Sequence, residues 1–264
     1  MRIFLPKYYL FVVIMGMMMS FAHAKTAPFS KDTLSHRPNK NYLSSELLAT
    51  FIQVEGEVSQ REIEQLRTEL DEFVVYLKRK QEKYRSEKRF LSFFFYKVHR
   101  QFLKHYEPHT TLYNLLEDGK YDCVTGSALY ALLLDALAIP YQVQEFPYHV
   151  YLMVPTEDQD TIMIESTDPQ YGFVTDAAEQ AQRYSFYSQT NQPATDTHFQ
   201  YDFAIGGSIG LTELAGLSYF NEAVEHYNRH EFPQAMQLLQ KASHLYASPR
   251  TEAFRSLVMS LSQK

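Results

Sequence analysis

Apolar residues recur three or four positions apart in two long stretches of the N-terminal half of the chain. The first runs from Ser59 to Leu77, on a segment otherwise filled with Glu, Arg, Gln and Lys. The second begins near Ser86 and continues to Phe102, before Pro108. Because this spacing puts the apolar side chains on one face of a helix, both stretches predict amphipathic helices with a solvated opposite face.

The most uniformly apolar helical pattern starts at the only cysteine of the chain and ends before Ile139-Pro140. Asp122 precedes it and is a residue type that commonly caps helix N-termini. Cys123 would therefore lie in the first helical turn, where unpaired backbone N–H groups and the positive end of the helix dipole favour a thiolate. The pattern indicates a reactive thiol, while a buried inert thiol and an intermolecular disulfide are the open alternatives.

After Pro140 the helical spacing gives way to alternation of apolar and polar residues. Three stretches predict strands, at residues 141–144, 149–154 and 161–168. The polar residues 155–160 predict a hairpin loop between the last two. Three weaker signals follow, for a short helix at 175–183, a polar loop at 189–197 and a turn at Gly206-Gly207. A helix followed by an antiparallel meander predicts an α+β fold.

The predicted hairpin brings a histidine and a carboxylate near each other. If its strands pair symmetrically about the loop, opposite residues have numbers that sum to 315, 316 or 317. An odd sum puts His149 and Asp168 on the same face of the sheet, and a sum of 316 puts them on opposite faces. The pattern therefore allows a pairing of His149 with Asp168. The alternative is a sheet histidine and an aspartate that opens the turn at Pro169.

A thiol at a helix N-terminus, a histidine at the start of a strand and an aspartate at the end of the next strand suit acyl transfer. His149 would take the thiol proton and later protonate the leaving group, and Asp168 would fix the imidazole tautomer. The helix end would lower the pKa of the Cys123 thiol, and the backbone N–H of Cys123 could donate to an oxyanion.

The chain from Leu211 to its end has a helical pattern, broken at 231–233 and 248–249. Small and apolar residues flank the first break in a way that resembles one tetratricopeptide helical hairpin; they are Ala223, Ala235, Leu239 and Ala242. Because one hairpin cannot bury its own face, we expect it to pack on the main domain or on the helix predicted at 251–261. The resemblance implies a surface for a protein partner.

The N-terminus has the organisation of a secretory signal peptide. Arg2 and Lys7 are followed by an apolar segment and by Ala22-His23-Ala24, a small-x-small cleavage signal. We therefore expect residues 1–24 to be removed on export to the periplasm or the extracellular space; an N-terminal membrane anchor is the alternative. Residues 25–44 are polar and turn-rich, and predict a flexible lead-in.

Composition and charge limit the partners and cofactors. Removal of residues 1–24 changes the formal net charge from −6 to −8, which disfavours nucleic acid as a partner. Two sets of residues have the four-residue spacing of helical metal ligands, namely His105 with His109 and Glu222 with His226 and His230. Pro108 interrupts the first set, and a polar helix face explains the second. No metal or other cofactor is expected.

The central part of the chain resembles the transglutaminase-like superfamily of papain-type thiol enzymes. The similarity covers residues 112–173 and rests on Gly119-Lys120-Tyr121-Asp122-Cys123, Ile139-Pro140-Tyr141, His149-Val150-Tyr151 and Glu165-Ser166-Thr167-Asp168-Pro169. The resemblance implies Cys123 as nucleophile, His149 as base and Asp168 as orienting acid. The family's second oxyanion donor has no clear match, and Tyr121 is the candidate for it.

We therefore expect an exported thiol enzyme that hydrolyses or transfers an acyl group at a peptide or protein amide. Residues 45–205 would form the transglutaminase-like domain with its N-terminal helices, and residues 211–264 the tetratricopeptide-like region. Because the superfamily also includes inactive members, a peptide-binding module without catalysis is an open alternative. A structural envelope protein with an inert Cys123 is another.

Overall fold

The computed structural model describes residues 42–54, 56, 58–189 and 206–262. The predicted signal peptide 1–24, residues 25–41 of the predicted lead-in and all but the first residue of the predicted loop 189–197 lie outside the described residues. Among the helices within these ranges, none combines the length and the hydropathy that a membrane-spanning segment needs.

Helices make up most of the described chain. In order, they are α1 (Ser45–Ile52), α2 (Gln60–Gln81), α3 (Glu87–Phe102), α4 (Leu112–Asp118), α5 (Cys123–Ala136), α6 (Ala177–Gln189), α7 (Leu211–Asn228), α8 (Phe232–Leu245) and α9 (Pro249–Ser262). Both amphipathic helices predicted before Pro108 are confirmed as α2 and α3. Helix α3 ends at Phe102, so that His105 and His109 do not share a helix face.

The strands form one antiparallel sheet and one short parallel pair. In chain order, they are β1 (His105–Tyr106), β2 (Lys120–Tyr121), β3 (Gln142–Phe146), β4 (His149–Pro155), β5 (Thr161–Ile164), β6 (Phe173–Val174) and β7 (Gly207–Ile209). The larger sheet has the order β6-β5-β4-β3-β7, and β1 pairs with β2. The mixture of helices with an antiparallel sheet confirms the α+β class.

Helix α5 lies in the middle of the apolar core. All its residues except Cys123 and Asp135 are buried, which explains a sequence that is apolar on every side. It packs against α4, against α7 and against β4. This position fixes its first turn beside the start of β4.

The third predicted strand is shorter in the structure than expected. Strand β5 ends at Ile164, and the chain then turns between Glu165 and Gly172. The Glu165 N–H donates to the Gly172 carbonyl at 2.8 Å, and the Gly172 N–H donates to the Asp168 carbonyl at 2.9 Å. These bonds satisfy the backbone within the turn and hold Glu165 at the end of β5. The expected turn at Gly206-Gly207 is also corrected, because Gly207 begins β7.

Substitution of Gly172 tests how tightly this turn is packed. A Cβ atom on Gly172 would overlap the carbonyl oxygens of Glu165 and Asp168, which are backbone atoms that cannot move aside cheaply. We expect Gly172→Ala to lower the free energy of unfolding in urea by about 3 kcal/mol. Gly56→Ala is the control, since a Cβ there meets open space. Equal stability of the two variants would contradict the packing described for this turn.

The three C-terminal helices form a second apolar cluster. Its members include the four residues singled out in the predicted hairpin, Ala223, Ala235, Leu239 and Ala242, and all four are fully buried. Helix α8 packs on both α7 and α9, and the first half of α7 contributes Leu214 and Leu217 to the main core. Helix α7 thus joins the main core to the C-terminal cluster, and the helix predicted at 251–261 is confirmed within α9.

Candidate functional site

Cys123 is the first residue of α5, directly after a buried helix cap. The Asp122 carboxylate accepts a hydrogen bond from the Thr125 N–H at 2.8 Å, and the Asp122 N–H donates to the Thr125 hydroxyl at 2.9 Å. This reciprocal capping fixes the start of the helix and confirms Asp122 as its N-cap. Cys123 as a residue is half-buried, and the next eleven residues are buried.

The thiol of Cys123 lies against the start of β4. Backbone hydrogen bonds from Val150 and Val124 reach it, which places the thiol beside the residue that follows His149. The pKa of the thiol is nevertheless raised, because burial and the negative charges of Asp122 and Glu165 disfavour a thiolate. The thiol pKa is thus raised and not lowered, contrary to the expectation from its place at a helix end, and the main cause is burial.

His149 pairs with Glu165. Its Nε2 lies 2.5 Å from the Glu165 Oε2, and the side chains are 14% and 1% exposed, respectively. The cause is the strand register, in which Leu152 faces Ile164 and opposite residues sum to 316. That register puts Glu165 on the same face as His149, as a diagonal neighbour across the two strands.

Asp168 does not contact His149, and the predicted pairing of these two residues is wrong. The observed register puts them on opposite faces of the hairpin, and the strand ends before Asp168 is reached. Its carboxylate instead accepts from the Tyr171 N–H at 2.9 Å and from the Arg183 guanidinium at 3.0 Å. Asp168 therefore stabilises the turn and anchors α6.

The Glu165 carboxylate receives four hydrogen bonds. Oε1 accepts from the Thr167 N–H at 3.1 Å and from the Thr167 hydroxyl at 2.7 Å. Oε2 is shared by His149 and by the Tyr187 hydroxyl, which donates at 2.9 Å. Burial alone would raise the pKa of Glu165, but the hydrogen bonds from His149 and Thr167 lower it. Glu165 is consequently a fixed, ionised acceptor at neutral pH.

Tyr187 is a site residue that sequence reasoning missed. Its ring stacks on the imidazole of His149, with centroids 4.2 Å apart and an angle of 27° between the planes. The only sequence signal is the spacing of Gln180, Arg183 and Tyr187, which puts three anchoring side chains on one face of α6.

Two tyrosines pair with each other in strands β1 and β2, just before Cys123. Tyr121, the candidate oxyanion donor, is buried and packs edge-on against the rings of His99 and Tyr106. Burial also raises the pKa of its hydroxyl, and its role as a donor stays a prediction. Tyr106 is 58% exposed, but desolvation of its hydroxyl and the proximity of Cys123 and Asp122 raise its pKa to about 12. Tyr106 is thus a second protonated hydroxyl in the neighbourhood of Cys123.

Potential metal ligands do not gather into a site in the part of the chain that the structure describes. Within it, no group of three or more His, Cys, Asp or Glu side chains is arranged to hold an ion. His226 lies between two carboxylates, with Nε2 3.5 Å from Glu222 and Nδ1 2.6 Å from Glu231. These contacts connect α7 to the start of α8.

The chain has no match among the protein-family models, the curated proteins or the solved structures with which it was compared.

Proposed function

We propose that this protein is an exported thiol enzyme with a papain/transglutaminase-like core, which hydrolyses or transfers an acyl group at a peptide or protein amide. The observation that carries the proposal is the buried contact between His149 and Glu165, in the region of the thiol of Cys123, which interacts with the Glu165 charge and with the backbone of Val150, the residue after His149. A nucleophile, a base and an orienting acid in this order are the parts that acyl transfer through a thiol needs.

The ring orientation of His149 assigns the proton-transfer atom. Because Nε2 donates to the ionised Glu165, Nδ1 is the neutral nitrogen that can accept the thiol proton. The thiolate then attacks the amide carbonyl, and the imidazolium protonates the leaving amine to give a thioester at Cys123. Water or an acceptor amine, deprotonated by the same Nδ1, releases the acyl group.

The surrounding layers support a papain-like arrangement. The nucleophile lies at the N-terminus of a buried helix, and this helix packs against the strand whose first residue is the base. The backbone N–H of Cys123 is a free donor of the first helical turn and could stabilise the oxyanion, with Tyr121 or Tyr106 as a second donor. The C-terminal helices offer a surface for the protein substrate or a partner, and residues 1–24 would direct export.

Labelling of Cys123 by an acyl probe tests the proposal. We expect a thioester-forming peptide acyl probe to label the wild-type protein at neutral pH and to leave Cys123→Ala unlabelled. We expect His149→Ala to react about 10²- to 10⁴-fold more slowly, because the thiol then lacks its base. Mass spectrometry of the intact protein over time gives the rates. Equal rates for His149→Ala and wild type would overturn the assignment of His149.

A non-catalytic binding module is the second candidate, and the raised pKa of the Cys123 thiol favours it. In that case Cys123 is a packing residue, and Cys123→Ser leaves peptide binding unchanged. The two candidates predict different labelling results. A module without catalysis gives no labelling difference between wild type and His149→Ala, whereas the enzyme does.

A further inference from the structure

Tyr187 contacts both the proposed base and its carboxylate partner. Its ring lies against the imidazole of His149 at 4.2 Å, and its hydroxyl donates to the same Glu165 oxygen that His149 contacts. The tyrosine therefore covers one side of the bond between His149 and Glu165. This position is outside the triad that the sequence predicted.

The ring of Tyr187 is held by packing within the sheet layer. Tyr151 lies 5.7 Å from it and Phe146 5.8 Å from it, centroid to centroid. Phe146 and Tyr151 are themselves buried and stacked on each other. The ring is thus confined between the histidine and two core aromatic residues, which leaves it little freedom to rotate.

Helix α6, which carries Tyr187, is fastened to the sheet by two polar side chains one and two turns earlier. The Gln180 amide donates to the carbonyl of Thr161 at 2.7 Å and to that of Val174 at 2.9 Å. The Arg183 guanidinium contacts the Asp168 carboxylate at 3.0 Å. Asp168, wrongly predicted to orient His149 directly, is instead linked to it through Arg183, α6 and Tyr187.

We propose that Tyr187 is a positioning residue. Its ring excludes water from the hydrogen bond between His149 and Glu165, and its hydroxyl fixes the Glu165 oxygen that accepts this bond. This inference rests on the proposed function, since it assigns a role within the same site. A hydrogen bond shielded from water keeps its directionality, because no solvent molecule competes for the donor or the acceptor. The tautomer with a proton on Nε2, and hence the basic Nδ1, is thereby maintained.

The effect of Tyr187 can be measured without any substrate, by NMR of the His149 Nε2 proton in ¹⁵N-labelled protein. We expect this proton to be observed in the wild type and in Tyr187→Phe, which retains the ring. We expect it to be lost through exchange with water in Tyr187→Ala. Tyr184→Ala is the matched control, because Tyr184 lies on the same helix and contacts Phe146 but not His149.

The acyl probe gives the second measurement. Tyr187→Ala is expected to slow the labelling of Cys123 by about 10- to 100-fold, as a small misplacement of a catalytic group does. Tyr187→Phe removes one hydrogen bond and is expected to slow it by about 2- to 10-fold. The labelling rate of Tyr184→Ala should match that of the wild type within about twofold, because this change removes no hydrogen bond of the site.

The two measurements separate this inference from the proposed function. If wild-type Cys123 does not react but the Nε2 proton is lost only in Tyr187→Ala, the positioning role stands and the enzyme assignment fails. If Cys123 reacts while Tyr187→Ala keeps both the proton and the wild-type rate, Tyr187 is not a positioning residue. An equal loss of the Nε2 proton signal and of labelling rate in Tyr184→Ala would also overturn the positioning role of Tyr187, because the effect would then come from α6 as a whole.

Discussion

Glu165→Gln is expected to slow acylation of Cys123 by about 10²- to 10⁴-fold, the range seen when an orienting carboxylate or a base is removed. The amide group would present an N–H donor where Glu165 Oε2 now accepts from His149 and Tyr187. His149 would then have to turn its unprotonated nitrogen toward the amide, which moves the proton to Nδ1. In the proposed mechanism, Nδ1 would then no longer be able to accept the thiol proton.

Asp168→Asn is the matched control for this change. It is the same carboxylate-to-amide substitution three residues later in the same turn, and its carboxylate contacts Arg183 rather than His149. We expect a loss in rate below about tenfold, since the substitution weakens only an indirect, partly exposed contact. Rates are measured with the acyl probe on variants whose folding has been checked by circular dichroism. A larger loss for Asp168→Asn than for Glu165→Gln would restore Asp168 as the orienting acid.

Arg250→Met is expected to lower the free energy of unfolding in urea by about 3 to 5 kcal/mol, the cost of breaking a buried ion pair by removing one partner. Arg250 Nη2 lies 2.5 Å from Glu145 Oε1, and both side chains are less than one-tenth exposed. Its Nη1 also donates to the Pro147 carbonyl at 3.0 Å. Without the guanidinium, the Glu145 carboxylate would be buried with the Tyr246 hydroxyl as its remaining partner.

Two further variants show whether the loss comes from the unpaired charge. Glu145→Gln/Arg250→Met should recover most of the stability, because the neutral amide can still accept from Tyr246. Arg255→Met is the control on the same helix, since Arg255 pairs with Glu252 in solvent. That change should cost less than about 1 kcal/mol. Equal losses for the Arg250 and Arg255 variants would contradict a structural role for the buried pair.

The helical part of the site could be predicted because its determinants are local. Asp122 is a capping residue, the apolar residues that follow have no polar face, and Ile139-Pro140 ends the pattern. These signals lie within one element and do not depend on the rest of the fold. They placed Cys123 in the correct turn, although the pKa of its thiol depends on Glu165, which comes from another part of the chain.

The carboxylate that contacts His149 could not be predicted because its position depends on strand register. Sums of 315, 316 and 317 are all compatible with the polar loop, and a shift of one residue moves a side chain to the other face. The observed sum of 316 selects Glu165 and rejects Asp168. The role of Tyr187 could not be predicted for a similar reason. Tyr187 contacts Glu165 from 22 residues further along the chain, and no sequence pattern relates the two positions. Strands β6 and β7 are two and three residues long, too short to show alternation.

The two sides of the site have unequal local stability. Helix α5 is buried on nearly every side, so the backbone around Cys123 can open to solvent only when much of the core opens. None of residues 177–188 of α6 is buried, so that helix can detach in a smaller local unfolding event. The position of Cys123 should therefore persist for as long as the fold itself, while the Tyr187 ring that covers His149 detaches and returns many times in that interval.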